Sequence, residues 1–155
     1  MQETIFNIQS QEDFTKVALD IFKHQFKNNK VYRSFCDLLY IHPSDVSKIE
    51  EIPFLPIQFF KSRKVIASLD EVQETFSSSG TTGSITSKHY VTDINLYKES
   101  YLKGFAHFYG NIEEYVVLAL LPNYLERKGS SLVFMVDDLI NKSKNSESGF
   151  YLDNI

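Results

Sequence analysis

Apolar residues recur at helical spacing near the start of the chain, where Phe14, Val17, Ala18, Ile21, Phe22 and Phe26 would share one face. Ser10 followed by Asp13 resembles a capping box with Asp in place of Glu, so an amphipathic helix is expected over Gln11 to Lys27. Asn28-Asn29 interrupts the pattern. Val31 to Tyr40, with Phe35, Leu38 and Leu39 inward, predicts a second, shorter helix that ends before His42-Pro43. The stretch Ile52 to Phe60 is strongly apolar, yet Pro53 and Pro56 exclude a regular helix and a central strand, which leaves a buried, extended connector. Lys61, Arg63 and Lys64 follow, either as a solvated turn or as an anion-facing patch, ahead of a strand expected at Val65 to Ala67.

From Val72 the period changes. Strands at Val72 to Phe76 and Lys88 to Thr92 enclose a polar segment, Ser77 to Ser87, which predicts a hairpin with a long polar tip. Asp93 is placed to cap a helix whose stripe is Ile94, Tyr97, Tyr101, Phe105 and Phe108, and Gly110 stops it. Tyr115 to Leu121 lacks alternation and is bounded by Pro122, the pattern of a strand buried on both faces of a largely parallel sheet. Gly129-Ser130-Ser131 opens a last helix with Leu132, Val133, Val136, Leu139 and Ile140 inward. A polar linker, Lys142 to Ser148, then leads to a short strand at Phe150 to Leu152. This order predicts an α/β class: a helical lead-in over residues 1–50, then over residues 51–155 a mixed or parallel sheet flanked by helices.

Composition narrows the function classes. A hydrophobic share of 43% supplies a core and excludes wholesale disorder. Sixteen Lys and Arg against twenty Asp and Glu give a net charge of -4, a field that repels polyanions, so no nucleic-acid partner is expected. Cys36 is the only cysteine, which rules out an intrachain disulfide, and its apolar helix makes it a core residue. No signal-peptide pattern opens the chain and no apolar run is long enough to cross a bilayer, so a cytoplasmic location without membrane contact is expected. His24, His42, His89 and His107 show no metal-ligand spacing, and no Gly-x-Ser-x-Gly elbow occurs.

The informative segment is Ser77-Ser78-Ser79-Gly80-Thr81-Thr82-Gly83-Ser84. No residue in it is larger than Thr, and every residue except the two glycines carries a hydroxyl. The glycines also let successive backbone N–H groups converge on an anion. Lys88 lies close enough in sequence to offset phosphate charge. By composition alone the segment also reads as a flexible surface loop. It is not the standard P-loop, because only Thr81-Thr82 separate the glycines and Ser84 follows the second.

Ser79-Gly80-Thr81-Thr82-Gly83 resembles the phosphate loop of the acyl-adenylate-forming superfamily. The wider frame is more specific. Ile52-Pro53-Phe54-Leu55-Pro56 and Phe59-Phe60-Lys61 stand ahead of Ser77 to Gly83, with Leu121-Pro122-Asn123-Tyr124-Leu125-Glu126-Arg127 and Ser130-Ser131-Leu132-Val133 behind. That frame is similar to the LuxE-type acyl-protein synthetases from about residue 50 onward. The resemblance implies that a carboxylic, typically fatty, acid is activated with ATP and Mg2+ to an acyl-adenylate, and that the acyl group then passes to a protein thiol. It implies phosphate-contacting roles for Ser77, Ser78, Ser79, Gly80, Thr81, Thr82 and Gly83, with Lys88 supplying charge. The superfamily loop often continues with Pro-Lys-Gly, whereas this chain has Ile85-Thr86-Ser87 before Lys88. An acyl-reductase or acyl-carrier protein is the implied partner. Superfamily enzymes also use later segments for adenine, Mg2+, ribose and a mobile Lys, so the chain is expected to be an incomplete N-terminal part of the adenylate-forming fold, with self-association through the exposed edge. Residues near Tyr124 and Phe134 are candidates for an acyl pocket. The alternative reading is a non-catalytic binding or assembly module derived from the same fold.

Overall fold

The computed structural model describes residues 2–78, 85–122 and 128–152. A short helix α1 (Gln2–Ile5) precedes α2 (Gln11–Asn28) and α3 (Lys30–Leu38). The Ser10 hydroxyl accepts the Asp13 N–H at 3.0 Å, the cap expected from sequence, while the return bonds to the Asp13 carboxylate come from the Ser10 hydroxyl at 2.8 Å and the Gln9 N–H at 3.3 Å in place of the Ser10 N–H of a capping box. These bonds, the serine hydroxyl's first and the Gln9 N–H second, hold the Asp13 carboxyl below its usual range.

The break between α2 and α3 is made by one buried side chain. Asn29 ends α2 by donating its N–H to the Gln25 carbonyl, and its side-chain oxygen accepts the Tyr32 N–H at 3.2 Å, so it also starts α3. Two orphaned helix ends are thereby satisfied by one residue. The two helices pack through Phe22, Phe26, Tyr32, Cys36 and Val46, with Leu19, Phe35, Ile41, Ile52 and Leu55 against them. Cys36 is fully buried, and burial pushes its thiol up, as befits a core residue. Phe14, Leu38 and Leu39 are exposed rather than inward, because the first lies on the outer side of the first turn of α2 and the others where α3 ends and the chain turns into Tyr40 at φ 56°.

The connector after this helical unit differs from expectation. A 3₁₀ turn, Ile49–Glu51, leads to Pro53, whose carbonyl accepts the Tyr32 hydroxyl at 2.7 Å. Phe54 and Ile57 are 76% and 72% exposed, so the connector is only partly buried, and it closes into a single helical turn, α4 (Phe59–Ser62). Pro56 permits this because α4 begins three residues later, beyond the positions its ring restricts. No strand forms at Val65 to Ala67. Lys64 instead stands 5.2 Å from the centre of the Tyr90 ring, a cation–π contact that ties the basic segment to the next element.

Strands β1 (Glu74–Ser77) and β2 (Lys88–Val91) form the expected antiparallel hairpin, in register Glu74 with Val91 through Ser77 with Lys88. Asp93 caps α5 (Ile94–Tyr109) through the Asn95 N–H, and Gly110 ends it at φ 83°. Tyr101 is buried, but Phe108 is 78% exposed and lies off the core stripe. Beyond a second 3₁₀ turn, Ile112–Glu114, the strand expected over Tyr115 to Leu121 shrinks to β3 (Leu118–Ala119). It pairs in parallel with β4 (Gly149–Phe150), and α6 (Ser131–Ser143) makes the crossover. Parallel pairing is therefore present, whereas burial on both faces is not: Ala119 is buried, and Leu118 and Leu120 are 64% and 61% exposed. Leu132 is likewise exposed, while Val133 and Leu139 carry the inner face of α6.

Among the described residues, helices thus combine with two small two-stranded sheets, one antiparallel and one parallel, in a mixed α/β arrangement. No helix among the described residues is long and apolar enough to cross a membrane.

Candidate functional site

The site is built where the hairpin meets α4 and α6. Phe76, on β1, packs its ring against Tyr97 of α5 and Phe134 of α6, with centroids 5.2 Å and 5.6 Å away. Tyr97 stacks edge-on to Tyr101 and donates its hydroxyl to the Ser131 carbonyl at 3.0 Å. Tyr101 donates to the Asp138 carboxylate at 2.7 Å, whose other oxygen accepts from Lys142 at 3.0 Å. This aromatic cluster fixes α5 and α6 behind the hairpin. Phe134 is part of that packing, and Tyr124 lies outside the described residues. Burial raises the Tyr97 and Tyr101 phenols, and for Tyr101 the neighbouring Asp138 carboxylate pushes in the same direction.

In front of the cluster lies an open cleft of about 340 Å³. Its apolar wall comes from Ile57 and Phe60 of the connector and from Phe76. The Phe60 ring lies nearly parallel to the His89 imidazole, at 10° and 6.4 Å between centroids, so the connector is held against β2. The polar side carries the hydroxyl residues Ser77, Ser78, Ser87 and Ser131 together with Lys88 and His89. The hairpin pairing continues beyond the strand ends. The Ser78 N–H donates to the Ser87 carbonyl at 3.0 Å, and the Ser87 N–H donates to the Ser78 hydroxyl at 3.0 Å. Both ends of the polar tip are thus closed to one another at its base.

Three of the sequence-derived site residues, Ser77, Ser78 and Lys88, are brought to this one cleft. Ser79, Gly80, Thr81, Thr82 and Gly83 lie outside the described residues. The apolar wall and Ser131 were not foreseen. Ile57 and Phe60 are separated by three positions beyond Pro56, a one-turn spacing that the proline pair masks. Lys88 and the serines offer the charged and neutral donors that phosphate oxygens take. Among the described residues no group of three or more His, Cys, Asp or Glu is arranged to hold a metal ion.

The comparison with known proteins takes in the helical unit, the connector, the hairpin and α5, and stops short of α6. The family described as "Acyl-protein synthetase, LuxE" matches residues 5–115, well over half of the chain, and the chain belongs to that family. A long-chain-fatty-acid–luciferin-component ligase of Photorhabdus luminescens is 33% identical over 69 residues, a match covering 44% of this chain and 59% of that protein. A ligase of the same description from Vibrio harveyi is 31% identical over 80 residues, covering 50% of this chain and 21% of that protein. The chain thus spans less than two thirds of either relative. No solved structure matches it with significance.

Proposed function

We propose that this LuxE-family chain supplies the phosphate-binding part of an enzyme that activates a carboxylic, most simply a fatty, acid with ATP and Mg2+ to an acyl-adenylate and passes the acyl group to a protein thiol. The observation that carries the reading is the closed hairpin base. Ser77, Ser78, Ser87 and Lys88 meet on one cleft at the two ends of the Ser79 to Gly83 sequence, within the region that matches the family.

ATP would bring a reactive phosphoric anhydride, and the chain's own residues would hold it. Ser78 and Ser87 brace the loop base, Ser77 and Ser131 add hydroxyls, and Lys88 contributes positive charge where pyrophosphate builds up negative charge. The hydroxyls of Ser79, Thr81 and Thr82 and the backbone N–H groups of the Ser79 to Gly83 sequence would supply the further donors. Mg2+ would arrive with the phosphates. The wall of Ile57, Phe60 and Phe76 offers apolar surface beside this polar edge, in keeping with an apolar acid as co-substrate.

In this reading the described elements are the N-terminal part of an adenylate-forming fold, the remaining machinery comes from elsewhere in the longer family proteins, and the thiol belongs to an acyl-reductase or acyl-carrier partner. The names of the two ligase relatives support the substrate class. Fatty-acid-dependent exchange between ATP and labelled pyrophosphate tests it, and full-length protein that shows no exchange with any fatty acid sinks it. The assembly-module reading draws on one observation, the exposed Leu118 and Leu120 on either side of the buried Ala119. Self-association without nucleotide binding would favour it.

A further inference from the structure

We propose that Gly129 is a positioning residue for the phosphate loop, a role that rests on the loop reading above. Successive amides of a strand point to opposite edges. On β1 the Ser78 N–H accordingly goes to Ser87 across the hairpin, while the Ser77 N–H goes the other way, to the Gly129 carbonyl at 2.8 Å. The two residues from which the loop departs are therefore clamped from both edges, one side by the hairpin and the other by the residue just before the cap of α6.

The far side of this clamp is itself anchored. The Ser130 hydroxyl accepts the Val133 N–H at the start of α6, and Tyr97 holds the Ser131 carbonyl. Ser131 then lines the same cleft as Lys88. The turn before α6 thus fixes the loop base, and the first residue of α6 forms part of the cleft.

Glycine is needed here for its backbone. Gly129 sits at φ 82°, in the left-handed region that side chains rarely adopt. Space is adequate for a methyl group, since an added Cβ would stand 3.4 Å from the Thr75 carbonyl oxygen and 3.5 Å from the Ser77 hydroxyl, both ordinary contacts. An alanine would therefore fit sterically and relieve its strain by rotating φ, which swings the carbonyl away from the Ser77 N–H. Gly110 gives a comparison at a similar φ, 83°: nothing lies within 4 Å of an added Cβ, and it closes α5 far from the hairpin base by donating its N–H to the Ala106 carbonyl.

The experiment measures calorimetric affinity for inorganic pyrophosphate and for ATP with Mg2+, together with melting temperature and amide exchange at Ser77, in full-length protein of wild-type sequence and in its Gly129→Ala, Gly110→Ala and Gly80→Ala variants. Gly129→Ala is expected to weaken pyrophosphate binding about tenfold or more and to speed exchange at Ser77. Gly110→Ala is expected to lower the melting temperature comparably and leave both readouts unchanged. Gly129→Asn, whose side chain tolerates left-handed backbone, should recover most of the lost affinity and keeps the test open if the alanine variant folds poorly. Equal losses in Gly129→Ala and Gly110→Ala, or an asparagine variant as weak as alanine, would overturn the positioning role. Binding that survives Gly129→Ala but is lost in Gly80→Ala removes that role alone. Full-length protein of wild-type sequence that binds neither ligand removes the loop reading and the role together.

Discussion

At the scale of single residues, the loop assignment makes a sharp distinction between function and fold. If the segment holds phosphates through its backbone, a β-carbon at Gly80 or Gly83 would obstruct either the required backbone angles or the approach of the anion. Gly80→Ala and Gly83→Ala should therefore lower pyrophosphate exchange by full-length protein far more than they lower its melting temperature. Lys88→Ala should weaken exchange to a smaller degree, because the lysine flanks the loop base and is exposed on the cleft. Were all three to exchange at wild-type rates, the loop would be an ordinary surface turn. Tyr101 offers a contrasting case. Its hydroxyl satisfies Asp138 behind the cleft without lining it, so Tyr101→Phe should cost about 1–2 kcal/mol in denaturant unfolding while leaving pyrophosphate affinity intact.

Among the elements, the junction of α2 and α3 depends on Asn29. Its side chain caps α3 while its backbone closes α2, and it is 4% exposed. Asn29→Ala should destabilise the chain by about 2 kcal/mol, read from urea midpoints, with most of the loss felt in the helical unit. Elements with a local cause were legible in sequence. The caps at Ser10 and Asp93, the stop at Gly110 and the hairpin around Ser77 to Ser87 all follow from short-range hydrogen bonding or backbone freedom. Elements decided by distant partners were not. Tyr115 to Leu121 has the composition of an internal strand, yet only Leu118 and Ala119 pair with β4 and only Ala119 is buried among its central residues. Ile57 and Phe60 read as core because their apolarity says nothing about which surface they cover. The site was legible to the same extent: Ser77, Ser78 and Lys88 announce themselves by type, whereas the contribution of Gly129 exists only once the chain returns past β1.

For the molecule as a whole, two tyrosines join separate parts and set a pH limit. Burial raises the phenols of Tyr32 and Tyr101, assisted by Cys36 in the first case and Asp138 in the second. In the unfolded chain both ionise near pH 10. A raised folded value means their contribution is fully present below that pH and is lost as the pH climbs through it, since only the unfolded state then releases the protons. Thermal melts should fall on the alkaline side, and the Tyr32→Phe/Tyr101→Phe double variant should flatten that fall. An alkaline limb of equal slope in both proteins would rule out this cause. The Tyr32 bond to Pro53 carries a mechanical consequence as well. With Pro53 and Pro56 stiffening the span, Phe59 packed back on Phe35 of α3 and Phe60 resting on His89 of β2, the connector ties the helical unit to the hairpin. Loosening α2 against α3 should therefore be felt at Ile57 and Phe60, the connector's share of the cleft wall, although neither helix lines the cleft.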